Sequence, residues 1–161
     1  MQARSESGLD ATIMAIAPTA MAAVAGSLAT MPEIPTWYAS LAKPAFTPPN
    51  WLFGPAWTTL YILMAIAFWR ILRLPTDAPG VRGAIGLWIV QIVLNALWSF
   101  AFFRFHSPLA GLVVIALLWV AIALTLVRFY TLDRIAGLLF VPYLAWVTFA
   151  SALNFAIWRL N

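Results

Sequence analysis

Residues 37–61, WYASLAKPAFTPPNWLFGPAWTTLY, decide how the rest of the chain is read. Pro44, Pro48, Pro49 and Pro55 stiffen the stretch, Trp37, Trp51 and Trp57 weight it with indoles, and Lys43 is its single charge. Its first half is loop-like and its second half runs straight into an apolar helix. Apolar runs flank it on both sides, so the connection 32–50 joins two membrane-length segments and is longer than a tight helix pair requires. Connections of that length are functional or disordered. Trp37, Tyr38 and Phe46 argue against disorder, because disordered segments are poor in aromatics. The stretch therefore reads as an ordered lid over a pocket.

The composition agrees. The chain is 64% hydrophobic and 9% charged, with a mean hydropathy of +0.93. A water-soluble domain carries about 25% charged residues, so the bilayer must solvate most of this surface. There are no cysteines, which excludes disulfides, thiolate metal sites and thiol catalysis. One histidine and five acids make a multi-ligand metal site a poor expectation, and no metal is expected. The pI near 10.1 reflects arginines beside the apolar runs, and no basic cluster points to nucleic acid.

Working outward, five spans are expected at about 11–31, 51–70, 84–103, 108–128 and 134–158, each near the ~20 residues that cross hydrocarbon as a helix. The fold class is an all-α membrane protein, a five-transmembrane-helix bundle in one domain over 11–161 with a long ordered loop between helices 1 and 2. Residues 1–10 are expected to be a flexible N-terminal tail. The first span is rich in alanine and interrupted by Pro18; a cleaved signal peptide is its alternative reading, opposed by Glu6 and Asp10 in the would-be basic region. No internal repeat appears, and five spans cannot form two equal inverted halves. Arg4, Arg70, Arg73, Arg82, Arg128 and Arg134 fall on one side, and Lys43, Arg104 and Arg159 on the other. The positive-inside rule then places the N-terminus in the cytoplasm and the helix 1–2 loop and C-terminus outward.

Three helical faces carry polar and aromatic groups together. Gln91, Asn95, Trp98 and Phe102 are spaced by four, three and four, which puts them on one face. A buried amide needs a partner, so this face is either helix–helix glue or a pocket wall offering donors and acceptors. Trp57, Tyr61, Met64 and Phe68 form a second stripe, open to a packing or a pocket reading. Tyr143, Trp146, Ala150 and Asn154 form a third, on a helix that Pro142 kinks or leaves with a free carbonyl. Flat apolar walls with a few placed polar groups suit a large planar aromatic ligand. Lys43 and Arg104 either meet carboxylates on such a ligand or snorkel to headgroups. His106 is either a solvated loop residue or an axial ligand for haem iron. No acidic residue sits mid-span, which weakens proton-relay and channel readings, and no hydrolase, kinase or nucleotide motif appears.

Trp37-Tyr38-x-x-Leu41-x-Lys43-Pro44-x-x-x-Pro48-Pro49, then Pro55-x-Trp57-x-x-Leu60-Tyr61, Gln91-x-x-x-Asn95-x-x-Trp98, and Val141-Pro142-Tyr143-x-x-Trp146 through Leu153-Asn154 together resemble the tryptophan-rich sensory protein family. Its mitochondrial members are the translocator proteins, or peripheral-type benzodiazepine receptors. The resemblance spans 30–160 and suggests a bacterial member, in the bacterial cell membrane. It implies a five-helix bundle, often a homodimer. It also implies a pocket beneath the first loop that binds porphyrins (protoporphyrin IX, haem) and isoquinoline carboxamide or benzodiazepine drugs. The positions that match the family's pocket are Trp37, Tyr38, Trp57, Tyr61, Asn95, Trp98, Trp146 and Ala150, to which Gln91, Phe149 and Leu153 are added as candidate lining. No cofactor is obligatory; porphyrin or haem is the ligand. Trp57 and Trp146 match positions tied to light-dependent porphyrin breakdown and would be catalytic only in that case. The family's sterol motif needs a tyrosine where Phe155 stands, so sterol recognition there is doubtful; Val127-x-x-Tyr130-x-x-x-Arg134 is a formal match easily met by chance.

Three functions are thus expected to compete: a porphyrin-binding sensor or transporter, a tryptophan-dependent photo-oxidative enzyme, and a scaffold whose small residues Ala22, Gly26 and Thr30 pack a partner helix.

Overall fold

A computed structural model describes residues 2–161, with side chains from Gly8 onward. Its order is α1 (Gln2–Thr30), α2 (Phe53–Leu72), α3 (Val81–Ser99), α4 (Pro108–Leu132), a short α5 (Arg134–Leu138) and α6 (Val141–Leu160). Among the described residues, five helical segments are long and apolar enough to cross a membrane: Gly8–Thr30, Asn50–Leu72, Val81–Arg104, Pro108–Leu132 and Arg134–Leu160. The protein is an all-α, multi-pass membrane protein. The tail expected over 1–10 lies partly outside the described residues; from Gln2 the backbone is already helical. Ala3, Arg4 and Glu6 are good helix formers, so α1 extends as a polar prolongation beyond the apolar span. Pro18 lies within α1 without ending it, as membrane helices tolerate.

The spans close into a ring. α1 packs on α2 and α3, α3 on α4, α4 on α5 and α6, and α5 back on α2. The small face of Ala22 and Gly26 is used inside this ring. A Cβ on Gly26 would stand 3.3 Å from Ser99 Oγ and 3.7 Å from the Tyr61 hydroxyl, so any larger residue there requires the Ser99 side chain to shift by a few tenths of an ångström.

Each break in the chain has a local cause. Ser107 caps α4 by accepting from the Ala110 N–H at 3.1 Å, with Pro108 in the first turn where its missing N–H costs nothing. The fifth span, expected as one helix over 134–158, is divided at Leu139–Phe140. Pro142 cannot donate to Leu138, the last residue of α5, and its ring crowds that carbonyl. Asp133 caps α5 through the Ala136 N–H at 2.9 Å and receives the Arg70 guanidinium at 2.9 and 2.8 Å. Burial works to raise the Asp133 carboxyl, but the hydrogen bonds from Arg70 and from the Ala136 and Ile135 N–H groups, with the Arg70 charge, outweigh it and hold the group below its ordinary value.

Candidate functional site

The upper half of the bundle, under the 31–52 loop, holds a partly open cavity of about 400 Å³, within the ~300–1,000 Å³ range of small-molecule sites. The fold makes this space in a traceable way. α5 packs on α2, but above the Pro142 break α6 meets α2 through large rings: Trp57 to Trp146 at 6.5 Å, Trp57 to Tyr143 at 6.3 Å and Phe53 to Trp146 at 6.0 Å between centroids. Indoles set edge to face hold the two backbones apart, and Ala150 then leaves its side of the gap unfilled.

The polar groups form two sets. In the first, the Tyr61 hydroxyl donates to Asn95 Oδ1 at 2.7 Å, and Asn95 Nδ2 donates to the Tyr143 hydroxyl at 2.8 Å. Asn95 thus ties α2, α3 and α6 together while also facing the cavity, so the glue and pocket readings of this residue both hold. Trp98 Nε1 donates to Asn154 Oδ1 at 3.1 Å, and Asn154 Nδ2 to the Pro108 carbonyl at 2.8 Å. The second set, the Tyr38 hydroxyl and Trp146 Nε1, belongs to lining residues, but both atoms are buried away from the open space and have no hydrogen-bond partner among the described residues. Burial pushes the Tyr38 hydroxyl up from its ordinary value, so it stays a neutral donor. A buried donor without a partner is costly. No charged side chain lines the cavity among the described residues.

The loop is ordered, and its anchors are visible. A helical turn of wide pitch, Ile34–Tyr38, lies at the start of the loop, and a second, Phe100–Arg104, extends α3; such turns recur at functional sites. The second turn carries Phe102 and Phe103, between which Tyr38 inserts, 4% exposed. Trp37 stands edge-on to Phe102 at 5.5 Å and stacks on His106 at 4.7 Å. His106 Nε2 lies 2.7 Å from Glu33 Oε2, with Arg104 3.9 Å from the other oxygen. Ala42 and Asn161 exchange two hydrogen bonds at 3.0 Å.

Of the eleven residues expected to bind ligand, Tyr38, Trp57, Tyr61, Asn95, Trp98, Trp146, Ala150 and Leu153 line the cavity. Three do not. Trp37 lies on the outer side of Phe102, serving the roof's attachment. Gln91 is fully buried one turn below Asn95, and its amide has no partner among the described residues. Phe149 packs behind the wall, between Phe46 and Trp146. Lys43 is occupied at the roof, donating to the Leu41 carbonyl at 3.1 Å and lying 4.7 Å over the Tyr38 ring. His106 faces Glu33 and does not line the cavity. The stripe of α2 divides: Trp57 and Tyr61 reach the cavity, whereas Met64 and Phe68 belong to the packed core below. Sequence reasoning missed the α1 wall, with Gly26, Ser27 and Thr30, and missed Phe53 and Ser99. The small-residue repeat of α1 was a signal of close approach, but not of what it approached.

Comparison with known proteins gives a consistent result. The model of the TspO/MBR family matches residues 14–159. Protein CrtK of Rhodobacter capsulatus is 48% identical over 125 residues, 78% of each chain. The tryptophan-rich protein TspO of Archaeoglobus fulgidus is 48% identical over 145 residues, 85% of this chain and 88% of that one. The translocator protein of Homo sapiens is 38% identical over 128 residues, 78% of this chain and 75% of its own.

Proposed function

The chain belongs to the TspO/MBR family, and from that premise we propose that it is a membrane receptor for planar apolar molecules of the porphyrin class, held in the cavity under the 31–52 loop. Relatives named as sensory and translocator proteins frame its role as sensing or transport. One observation carries the reading: an aromatic-walled space with no charged lining. Such a site takes a flat apolar molecule through its faces. Any carboxylates on the ligand stay outside, toward the exposed Arg104 at the roof, because a carboxylate in this lining would lie unpaired. Isoquinoline carboxamides fit the same description.

The test is a titration of purified protein with protoporphyrin IX, followed by tryptophan quenching. Saturable quenching is expected, weakened at least about tenfold by Trp57→Ala and by Asn95→Ala, as for residues at the centre of a binding site. Unsaturable quenching that neither substitution changes would overturn the proposal.

A second reading rests on the proximity of Trp57 and Trp146, with rings 6.5 Å apart at 84° and both on the cavity. Indoles so placed are suited to exchange electrons with an excited porphyrin, dioxygen being the oxidant and a ring-opened tetrapyrrole the product. Illumination of the complex would then produce a bilin-like absorbance, lost in the Trp57→Phe, Trp146→Phe double variant. An unchanged product rate in that variant leaves the protein a container.

A further inference from the structure

A second hollow lies between α1 and α2. It is a groove of about 630 Å³ with an almost wholly apolar lining, including Thr12, Ala15 and Thr19 from α1 and Ile62, Ile66 and Trp69 from α2. Ile62 is 55% exposed and Ile66 44%, so the groove opens sideways to the hydrocarbon rather than toward either aqueous face. Three residues, Ala23, Thr58 and Tyr61, line both this groove and the cavity. Tyr61 has the largest side chain of the three, hydrogen-bonded to Asn95 at 2.7 Å and with its ring 5.8 Å from that of Trp57. On the α1 side the groove exists because, apart from Ile16, the facing residues are alanines and threonines. The threonine hydroxyls are turned back on their own helix, Thr12 to the Gly8 carbonyl at 2.8 Å and Thr19 to the Ala15 carbonyl at 2.7 Å, which leaves methyl groups toward the space.

The two routes into the cavity differ in what must be broken. Entry through the roof requires withdrawing Tyr38 from Phe102 and Phe103, and parting Trp37 from His106, Glu33 from His106 and Ala42 from Asn161. Entry from the side, where Ser27, Gly54 and Thr58 leave the cavity wall between α1 and α2 partly exposed, requires at most breaking one hydrogen bond and turning the Tyr61 phenol past the Trp57 ring. A flat apolar molecule also concentrates in the bilayer rather than in water, and so meets the side first.

We propose that the α1–α2 groove is a membrane-side docking site, in which a planar apolar ligand dissolved in the bilayer lies before passing Tyr61 into the cavity. This rests on the binding function proposed above. Tyr61 acts as the door between the two spaces, and the roof stays shut during exchange. The ligand is recognised in the groove by shape and apolarity alone.

The cysteine-free sequence permits a test on a single folded sample. Ile62 lines the groove and not the cavity. The Ile62→Cys protein is modified in detergent with benzyl methanethiosulfonate and reconstituted into phosphatidylcholine vesicles. Protoporphyrin IX exchange is then followed by stopped-flow tryptophan quenching. A blocked passage slows entry and exit alike, so both rates should fall about tenfold with Kd unchanged, an unusual pattern because affinity changes normally reside in the off-rate. Dithiothreitol, which removes the benzyl group, should restore both rates. His106→Ala, which frees a roof contact, should alter neither. Unchanged rates in the adduct overturn the inference while leaving the binding function intact, as does faster exchange in His106→Ala. Absence of saturable binding in the unmodified protein removes both proposals.

Discussion

The two halves of this bundle are made of the same materials and end differently. In the half away from the lid, Phe68 lies flat on Trp88 at 3.8 Å with 4° between the rings, and Met64, Ile71, Phe129 and Phe140 fill the remaining space with almost no exposure. In the lid half, Trp57, Trp98, Trp146 and Phe102 are equally large, yet they surround a cavity. Aromatic content therefore does not decide whether a membrane bundle is solid or hollow. The separation of the backbones decides it. Below the Pro142 break, α5 lies against α2, and a parallel stack fills the ring's centre. Above it, rings set edge-on between α2 and α6 act as spacers, while Gly26 and Ala150 supply too little volume to fill what the spacers open.

The sharpest way to break this contrast is to truncate one indole from each half. Trp88→Ala should cost about 3–5 kcal/mol, as for large aromatic deletions in a filled core, read from denaturant unfolding in micelles, while porphyrin affinity of the folded fraction stays unchanged. Trp57→Ala should do the reverse, losing affinity with the smaller stability cost of a residue already bordering open space. Equal stability losses for the two would end the distinction between solid and hollow halves.

Gly137→Ala tests how tightly the lower half is closed. An added Cβ would fall 2.5 Å from the Tyr130 Cα and Cβ, so the α4–α5 corner must open, at about 1–3 kcal/mol for an overpacked site. Ala150→Thr tests the upper half in the opposite sense. The new side chain enters existing space, so stability should hardly change while porphyrin affinity falls about tenfold, or ~1.4 kcal/mol. Unchanged affinity would mean that bound ligand does not reach Ala150.

The smallest expected effect concerns the Arg70–Asp133 pair that clamps α2 to the α4–α5 corner. Asp133→Asn keeps a competent helix cap and removes only the charge, so a loss of about 1 kcal/mol is expected at neutral pH for a partly exposed pair. The folded-state carboxyl titrates below its ordinary value. Its contribution is therefore fully present above the ordinary aspartate range and disappears as pH falls through the lowered folded-state value. The stability gap between the two proteins should close on acidification; a gap that widens toward low pH would contradict the sign of the shift.

Much of the site was legible in the sequence, for one reason: periodicity tells which residues share a helical face. Trp57 with Tyr61, Asn95 with Trp98, and Trp146 with Ala150 each lie on such a face, and each pair does line the cavity. Periodicity failed where the question was depth. Gln91 and Asn95 share a face, but one turn of helix separates a buried, unpartnered amide from one that bridges two tyrosines. Trp37 and Tyr38 are neighbours in the chain, and the wide turn at Ile34–Tyr38 sends one outward to His106 and the other inward to the cavity. The α1 wall could not be read as lining, because alanine, glycine and serine carry no signal of what they face.

By itself, the sequence determined that hydrocarbon is the solvent, that five segments cross it, and that three of them carry polar aromatic faces. Those conclusions follow from composition and spacing, which are local properties of the chain. Only the tertiary structure decided which parts of those faces enclose space and which fill it, that the lid is pinned at Glu33, Tyr38 and Ala42, and that a lipid-side groove abuts the cavity at Tyr61. A hollow is the distance left between surfaces that belong to different helices, and no one helix specifies it.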